Sequence, residues 1–167
     1  MRFKILSLLA VVALVSACST KSDEGAATSG SGASASASTS ASGSEVMVQM
    51  GTQEDLVVNV GDRVFFGFDK YNLEPDARRI LERQAVWLKK YPNLSVTVEG
   101  HADERGTREY NLALGERRAN SAKDYLVALG VPSGQIKTIS YGKERPVALG
   151  SNEAAWSQNR RAVTTVR

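Results

Sequence analysis

The stretch from Glu99 to Ala119, which reads EGHADERGTREYNLALGERRA, constrains the fold of this chain more than any other. Alternating apolar residues predict a strand from Ser95 to Gly100, which runs into a short polar loop. Thr107 is a suitable helix N-cap, and the apolar residues after it recur at helical spacing. A strand that leads through a tight loop to a long helix is a unit of an α/β domain, in which the helix packs on the sheet.

Two side chains of opposite charge lie on this unit. Asp103 is in the loop, and Arg118 lies four residues after Leu114, on the same helical face. A guanidinium binds a carboxylate through two parallel hydrogen bonds, and an aspartate can take an ammonium. With Leu114 as the floor for a methylene chain, the pair suits the head group of an amino acid. A second interpretation is that Arg118 pairs with Asp103 itself, and a third is that it pairs with Glu116 or Glu153 at the surface.

The N-terminus has the pattern of a lipoprotein signal peptide. Arg2 and Lys4 precede an apolar stretch of about 11 residues (5–15), whereas a membrane span needs roughly 20. Small residues then precede Cys18, the only cysteine of the chain. This pattern looks like a bacterial lipobox, which predicts that residues 1–17 are removed and that Cys18 is acylated. Two or three acyl chains at about 0.8 kcal/mol per buried CH₂ give stable anchoring.

A low-complexity tract follows the predicted lipidation site. Every residue from 25 to 44 is Gly, Ala, Ser or Thr, a composition that cannot bury enough apolar surface to fold. We therefore predict that residues 18–44 are the lipidated cysteine and a flexible tether, with an r.m.s. reach of about 30 Å. The folded domain is predicted at 45–167.

The charge of the predicted mature chain argues against nucleic-acid binding. Removal of residues 1–17 lowers the number of Lys and Arg from 21 to 19, against 18 Asp and Glu. A nearly balanced chain lacks the basic excess that phosphate contacts require. Because lipidation would consume the single thiol, no disulfide is expected, and the domain must be stabilised by its apolar core.

Local signals give the layout of the predicted domain. Helices are indicated by Pro75 at a first turn, by Thr107 as an N-cap and by the stop at Gly130. The predicted strands are 63–68, 95–100, 136–141 and 161–166, with a short extra strand at 56–60, and the predicted helices are 75–91, 108–129 and 153–158. We expect an α/β domain (an α+β sandwich) with helices on one mixed four-stranded sheet, in the order β-α-β-α-β-(short α)-β.

Several motifs of the domain carry a family resemblance. They are Phe68-Asp69 followed by Leu73, Gly100-His101-Ala102-Asp103, Gly106-Thr107, Tyr110-Asn111, Leu114, Arg118-Ala119 and Asn159-Arg160-Arg161-Ala162-Val163. Together they resemble the peptidoglycan-binding domain of the OmpA-like family over about residues 64–166. Many members carry Thr-Asp in the loop and Leu-Ser in the helix, where this chain has Ala102-Asp103 and Leu114-Gly115. The loop form Ala-Asp-Glu-Arg-Gly-Thr points to the family's lipoproteins, in agreement with the lipobox.

The resemblance implies a ligand, namely the meso-diaminopimelate residue of the peptidoglycan stem peptide. Six positions are implied at this ligand: Asp103, Arg118, Leu114, Phe68, Asp69 and Arg105. Of these, Phe68 and Asp69 contribute through their backbone, and Arg105 is expected to touch the stem peptide's other carboxylates. If Asp103 and Arg118 serve the ligand rather than the core, their replacement by alanine is expected to leave the fold intact.

The resemblance also implies a location and partners. Serine rather than aspartate after Cys18 implies sorting to the outer membrane, so the chain would tether outer-membrane lipid to peptidoglycan without a covalent bond to the wall. The expected further partners are the periplasmic Tol proteins, TolA and TolB, within the Tol system of envelope integrity and cell division. An alternative is a lipoprotein docking module whose main role is to bind Tol proteins.

Catalysis has weak support in the sequence. A pair of carboxylates can hydrolyse a glycosidic bond, and four acids lie close together: Glu99, Asp103, Glu104 and Glu109. Glu99 is on a strand whose neighbours alternate faces, and Glu104 and Glu109 are expected to face solvent or to cap the helix. His101 is the only histidine and has no partners for a zinc site, so it is expected to be a structural hydrogen-bonding residue. We expect no enzyme activity, no metal and no cofactor.

Overall fold

The computed structural model describes residues 48–167. The predicted signal peptide (1–17), the lipidation of Cys18 and the tether (18–44) lie outside these residues. None of the helices within the described range is long and apolar enough to cross a membrane.

One mixed sheet organises the domain. Its strands are β1 (Arg63–Phe65), β2 (Val96–His101), β3 (Ile136–Gly142) and β4 (Arg161–Val166), in the order β1-β4-β2-β3. β2 and β3 are parallel, and β4 is antiparallel to both β1 and β2. β1, β2 and β3 therefore run in the same direction, and their carboxyl ends meet the start of β4 at one edge, which we call the loop edge.

Three of the helices begin where the sequence predicts, at residues 75, 108 and 153. The helical elements are α1 (Gln53–Asp55), which continues as a π-helical turn (Leu56–Val60), α2 (Pro75–Lys90), α3 (Arg108–Ala128), a 3₁₀ turn (Ser133–Gln135) and α4 (Glu153–Asn159). Pro75 occupies the first turn of α2. The Thr107 hydroxyl accepts a hydrogen bond from the backbone N–H of Tyr110, as an N-cap should. The predicted α/β fold and its element order are confirmed.

A continuous apolar core joins α2 and α3 to the sheet. Its members include Val64, Val96, Val98 and Ala162 from the strands, Ala77, Leu81, Ala85 and Leu88 from α2, and Ala119, Ala122 and Leu126 from α3. The α2 and α3 residues recur at helical spacing, so each helix buries one apolar stripe. This packing fixes α3 against the sheet.

α3 lies unusually close to β2. A Cβ atom added to Gly100 would lie 1.8 Å from the carbonyl oxygen of Gly115, a distance that no side chain tolerates. Glycine on the strand and glycine on the helix thus allow the two backbones to touch. The contact holds the first turns of α3, with Leu114, beside the loop edge.

Two details of the prediction are wrong. Residues 56–60 form a helical turn rather than a strand, because Thr52 caps the preceding turn by accepting the N–H of Asp55. Only Leu56 of this segment is fully buried, so it anchors a single turn to the core. In addition, β1 ends at Phe65 rather than at residue 68, because a turn follows in which the N–H of Lys70 donates to the carbonyl of Gly67.

Candidate functional site

Three segments converge at the loop edge: the β1–α2 loop (66–74), the β2–α3 loop (102–107), and α4 with the residue that follows it (153–160). They meet because the carboxyl ends of β1 and β2 lie beside the start of β4, where Phe65 pairs with Arg161 and Gly100 with Ala162. Functional side chains commonly gather at such a junction of strand ends.

A cavity of about 170 Å³ opens between these segments, and we call it the edge cavity. Its lining is Phe68, Asp69, Asp103, Arg105, Gly106, Tyr110, Asn111, Leu114 and Arg118. All six positions that the family resemblance implies at the ligand are among them. The structure thus brings together residues up to 50 positions apart in the sequence.

Asp103 is a buried carboxylate with arginine partners. Its Oδ1 accepts from the backbone N–H of Arg105 at 3.1 Å and from the Arg105 Nε at 3.2 Å. Its Oδ2 accepts from the Arg105 Nη2 at 2.7 Å and from the Arg160 Nη1 at 3.4 Å. Burial works to raise the pKa of this carboxyl, but the hydrogen bonds and charge of Arg105 together with the bond from Arg160 hold it below its ordinary value. Asp103 is therefore an anion at neutral pH.

Arg118 is held by backbone carbonyls rather than by an acid. Its side chain is fully buried, and it donates from Nε to Lys70 (2.8 Å), from Nη1 to His101 (2.8 Å) and from Nη2 to Gly67 (3.1 Å). Within residues 48–167 no carboxylate lies within ion-pair distance of it, so the interpretations that pair Arg118 with Asp103, Glu116 or Glu153 are wrong. Its structural role does not fit the expectation that an alanine here leaves the fold intact.

The buried guanidinium of Arg118 keeps a free capacity for an anion. It has five N–H groups, and the three carbonyls use three of them, which leaves two. Burial lowers the pKa of Arg118 to about 10, so the group stays charged at neutral pH. A carboxylate at the base of the edge cavity would meet a desolvated cation, where charge-assisted hydrogen bonds are strong.

Arg105 forms the rim of the cavity. Its guanidinium carbon lies 4.0 Å from the ring centroids of both Phe68 and Trp156, so the group is stacked between two aromatic faces. The same group binds both oxygens of Asp103. That Arg105 touches further carboxylates of a stem peptide stays a prediction.

The other three predicted positions shape the cavity. Leu114 is buried and supplies apolar surface, whereas Phe68 is 59% exposed. Asp69 has a left-handed backbone conformation (φ 56°) and accepts a hydrogen bond from the Tyr110 hydroxyl. Aspartate tolerates this conformation better than most residues do. The bond to Tyr110 links the β1–α2 loop to α3 across the cavity.

Comparison with known proteins agrees with the sequence motifs that resemble the OmpA-like family. The profile of the OmpA family matches residues 65–160.

This chain belongs to the OmpA family.

Its relatives include lipoproteins of several bacteria. A peptidoglycan-associated lipoprotein of Rhizobium meliloti (strain 1021) is 61% identical over 116 residues, which are 70% of this chain and 66% of the relative, just under two thirds of its length. One from Mesorhizobium japonicum is 48% identical over 162 residues, covering 97% of this chain and 90% of the relative. The crystal structure of the peptidoglycan-associated lipoprotein from Burkholderia pseudomallei is similar at a TM-score of 0.62 and 44% identity, over 64% of this chain and 90% of that chain. The resemblance drawn from the sequence motifs is confirmed.

Sequence reasoning missed two side chains of the site. Trp156 stacks on Arg105 and donates its indole N–H to Glu104 at 2.9 Å. Arg160 is buried, donates to the carbonyl of Phe66 at 3.0 Å and bridges Asp103 to Glu153. A signal for Arg160 was present, because it directly precedes the predicted strand 161–166. Its place beside Asp103 requires knowledge of the strand order.

His101 has a different role from the predicted one. Neither ring nitrogen has a hydrogen-bond partner among the described residues, and the ring packs against Tyr141 with the centroids 5.5 Å apart. Its Nε2 lies 3.8 Å from a Glu99 oxygen. However, burial, with the charges of Arg161 and Arg145, lowers the pKa of His101 to about 3, so the ring is neutral and the contact is not an ion pair. The prediction of a hydrogen-bonding histidine is wrong.

Proposed function

We propose that this protein binds peptidoglycan without a covalent bond, through the meso-diaminopimelate residue of the stem peptide, and that it thereby ties the outer membrane to the cell wall. The observation that carries the proposal is the edge cavity, which gathers all six residues implied at this ligand. The names of the relatives, which associate those proteins with peptidoglycan, support it.

The size of the cavity suits one end of an amino acid. A cavity of about 150 Å³ accommodates a benzene-sized molecule, and the edge cavity has about 170 Å³. The end of diaminopimelate has a similar number of non-hydrogen atoms: an ammonium and a carboxylate on one carbon, with the start of a methylene chain. Arg118 would take the carboxylate with its remaining N–H groups, Asp103 would take the ammonium, and Leu114 would pack on the methylenes. The role is one of binding, and we assign no catalytic step to it.

Calorimetry with a stem peptide tests the proposal. The protein is the chain from residue 18 with Cys18→Ser, and the ligand is L-Ala–γ-D-Glu–meso-diaminopimelate. Asp103→Asn keeps the shape of the side chain and removes its charge. Loss of one charge-assisted contact of about 2 kcal/mol should raise the Kd roughly thirtyfold.

A matched control removes a charge outside the cavity. Arg108 is exposed and pairs with Glu144 at the surface, so Arg108→Ala should leave the Kd unchanged. A parent that does not bind the peptide, or an Asp103→Asn variant that binds as well as the parent, would contradict the proposal.

The membrane anchor is part of the same proposal. Acylation of Cys18 would hold the protein in outer-membrane lipid with the domain facing the periplasm, and the tether at 18–44 would give it reach. Many anchored copies would face a polymeric wall, so modest affinity per site becomes strong attachment through avidity. Mass spectrometry of the purified protein and membrane fractionation of Cys18→Ser test this: the variant should leave the membrane fraction.

A second role, docking of the periplasmic Tol proteins TolA and TolB, is favoured by one surface. Leu149 is 88% exposed and Val147 is 52% exposed in the β3–α4 loop. Asn159 fixes this loop through hydrogen bonds with Val147 and with both the N–H and the carbonyl of Ala148. Rigid, exposed apolar residues are typical of protein interfaces. Leu149→Ser should weaken Tol binding in a pull-down and leave stem-peptide binding unchanged, and the opposite pattern would remove this role.

A further inference from the structure

Asp103 is fully occupied before any ligand arrives. A carboxylate offers about four lone-pair sites on its two oxygens. Four donors already occupy them: the backbone N–H, Nε and Nη2 of Arg105, and the Nη1 of Arg160. An incoming ammonium must therefore displace at least one arginine donor.

The displaced group is the Arg105 side chain, because Arg105 lines the edge cavity whereas the buried Arg160 does not, and its displacement would leave Arg105 without a strong partner. Its other acid, Glu153, is 4.0 Å away and is itself 65% exposed and bound to Arg160. The side chain of Arg105 is only 31% exposed, between the rings of Phe68 and Trp156. Loss of the counter-ion costs free energy when the cation is partly removed from water. A ligand that brings an ammonium alone thus gains one ion pair at the expense of another.

A ligand that brings both charges avoids this cost. When an ammonium and a carboxylate share one carbon, the ammonium can replace Arg105 on Asp103 while the carboxylate binds the displaced guanidinium. The two aromatic faces keep the guanidinium plane at the rim throughout, because stacking on Phe68 and Trp156 does not depend on the counter-ion. The carboxylate has two oxygens, so it can also accept from Arg118.

We propose that Arg105 sets the selectivity of the edge cavity: it admits ligands whose ammonium and carboxylate share one carbon, and it rejects ligands that bring an ammonium alone, such as a lysine side chain. This inference rests on the proposed function and adds a specificity-determining residue to it. The inference also explains why arginine suits position 105 better than lysine. The planar guanidinium binds both oxygens of Asp103 and stacks between the two rings, whereas an ammonium has no such plane.

Two stem peptides that differ only in their third residue test the selectivity. One carries meso-diaminopimelate and the other carries L-lysine, and each is titrated calorimetrically into the chain from residue 18 with Cys18→Ser. The parent should prefer the diaminopimelate peptide at least about tenfold. In Arg105→Ala, Asp103 loses the two side-chain donors of Arg105, Nε and Nη2, and keeps the backbone N–H of residue 105 and the Nη1 of Arg160. The lysine peptide should then bind more tightly than it binds the parent, and the preference should fall about tenfold.

The gain of affinity for the lysine peptide is the decisive result. If Arg105 had only a structural role, its replacement would weaken the binding of both peptides. Arg108→Ala, which removes an arginine outside the cavity, should change neither affinity. A second measurement, by NMR, needs no variant. Trp156 and Trp87 are the only tryptophans, so the indole N–H signals are few. The signal of Trp156 should shift more with the diaminopimelate peptide than with the lysine peptide at equal occupancy.

The outcomes separate the two claims. If the parent binds the diaminopimelate peptide and Arg105→Ala does not gain affinity for the lysine peptide, the selectivity role of Arg105 is overturned and the proposed function stands. The NMR result decides the matter in the same way if Arg105→Ala does not fold: equal shifts at Trp156 overturn the inference. A parent that binds neither peptide overturns both claims.

Discussion

Replacement of Arg118 by alanine should lower the free energy of unfolding by about 3 kcal/mol. It should also weaken binding of the ligand. The side chain is fully buried and donates to the carbonyls of Gly67, Lys70 and His101. Each carbonyl that loses its donor inside the protein costs at least about 1 kcal/mol. We take this lower value because water can enter from the adjoining edge cavity and partly replace the guanidinium. Three carbonyls then give a loss of about 3 kcal/mol.

Urea denaturation followed by circular dichroism measures this loss. The midpoint should fall while the m value stays constant, which indicates a change in stability and not in the denatured state. Arg117→Ala is the matched control, since Arg117 is exposed beside the rings of Tyr71 and Tyr110 and should change stability by less than about 0.5 kcal/mol. A loss below about 1 kcal/mol for Arg118→Ala would refute the view that this side chain joins the β1–α2 loop to the end of β2. Binding data for this variant must therefore be read together with its stability.

Three further predictions probe the fold and the site. In the unfolded chain His101 takes up a proton below about pH 6.5, whereas in the folded protein its pKa of about 3 keeps it neutral. The free energy of unfolding should therefore fall by about 2 kcal/mol as the pH is lowered from 7 to 5. His101→Phe should remove most of that pH dependence, and an unchanged profile would contradict the neutral buried histidine. Gly100→Ala should destabilise the protein by about 3 kcal/mol or abolish folding, because the new Cβ would overlap the carbonyl of Gly115. Gly134→Ala, with no atom within 4 Å of its Cβ, should be nearly neutral in the same urea titration. Asn111→Ala removes two hydrogen bonds to the β2–α3 loop. It should lower the free energy of unfolding by about 1–3 kcal/mol and weaken stem-peptide binding in calorimetry. Unchanged binding would show that the loop needs no such support.

Local signals were sufficient for most helix and strand positions. The start of α2 follows from Pro75, whose ring suits a first helical turn, and the start of α3 follows from the hydroxyl of Thr107. These effects act within one turn of the helix, so neighbouring residues contain all the information. The same holds for Leu114 and Arg118, whose spacing alone puts them on one helical face. Where the local signal was ambiguous, as at residues 56–60, a short apolar run was assigned to the wrong element.

The partners of the charged residues were decided by the tertiary structure. Arg118 binds carbonyls 17 to 51 residues away, and Asp103 meets Arg160 at a separation of 57 residues. Such contacts depend on the placement of β4 between β1 and β2, which brings Arg160 beside the end of β2. The sequence by itself determined which residue types the site contains and which segments carry them, because those properties are local. Only the packed sheet decided which charge faces which, because that depends on strand order and direction, and these are fixed by the burial of the whole core.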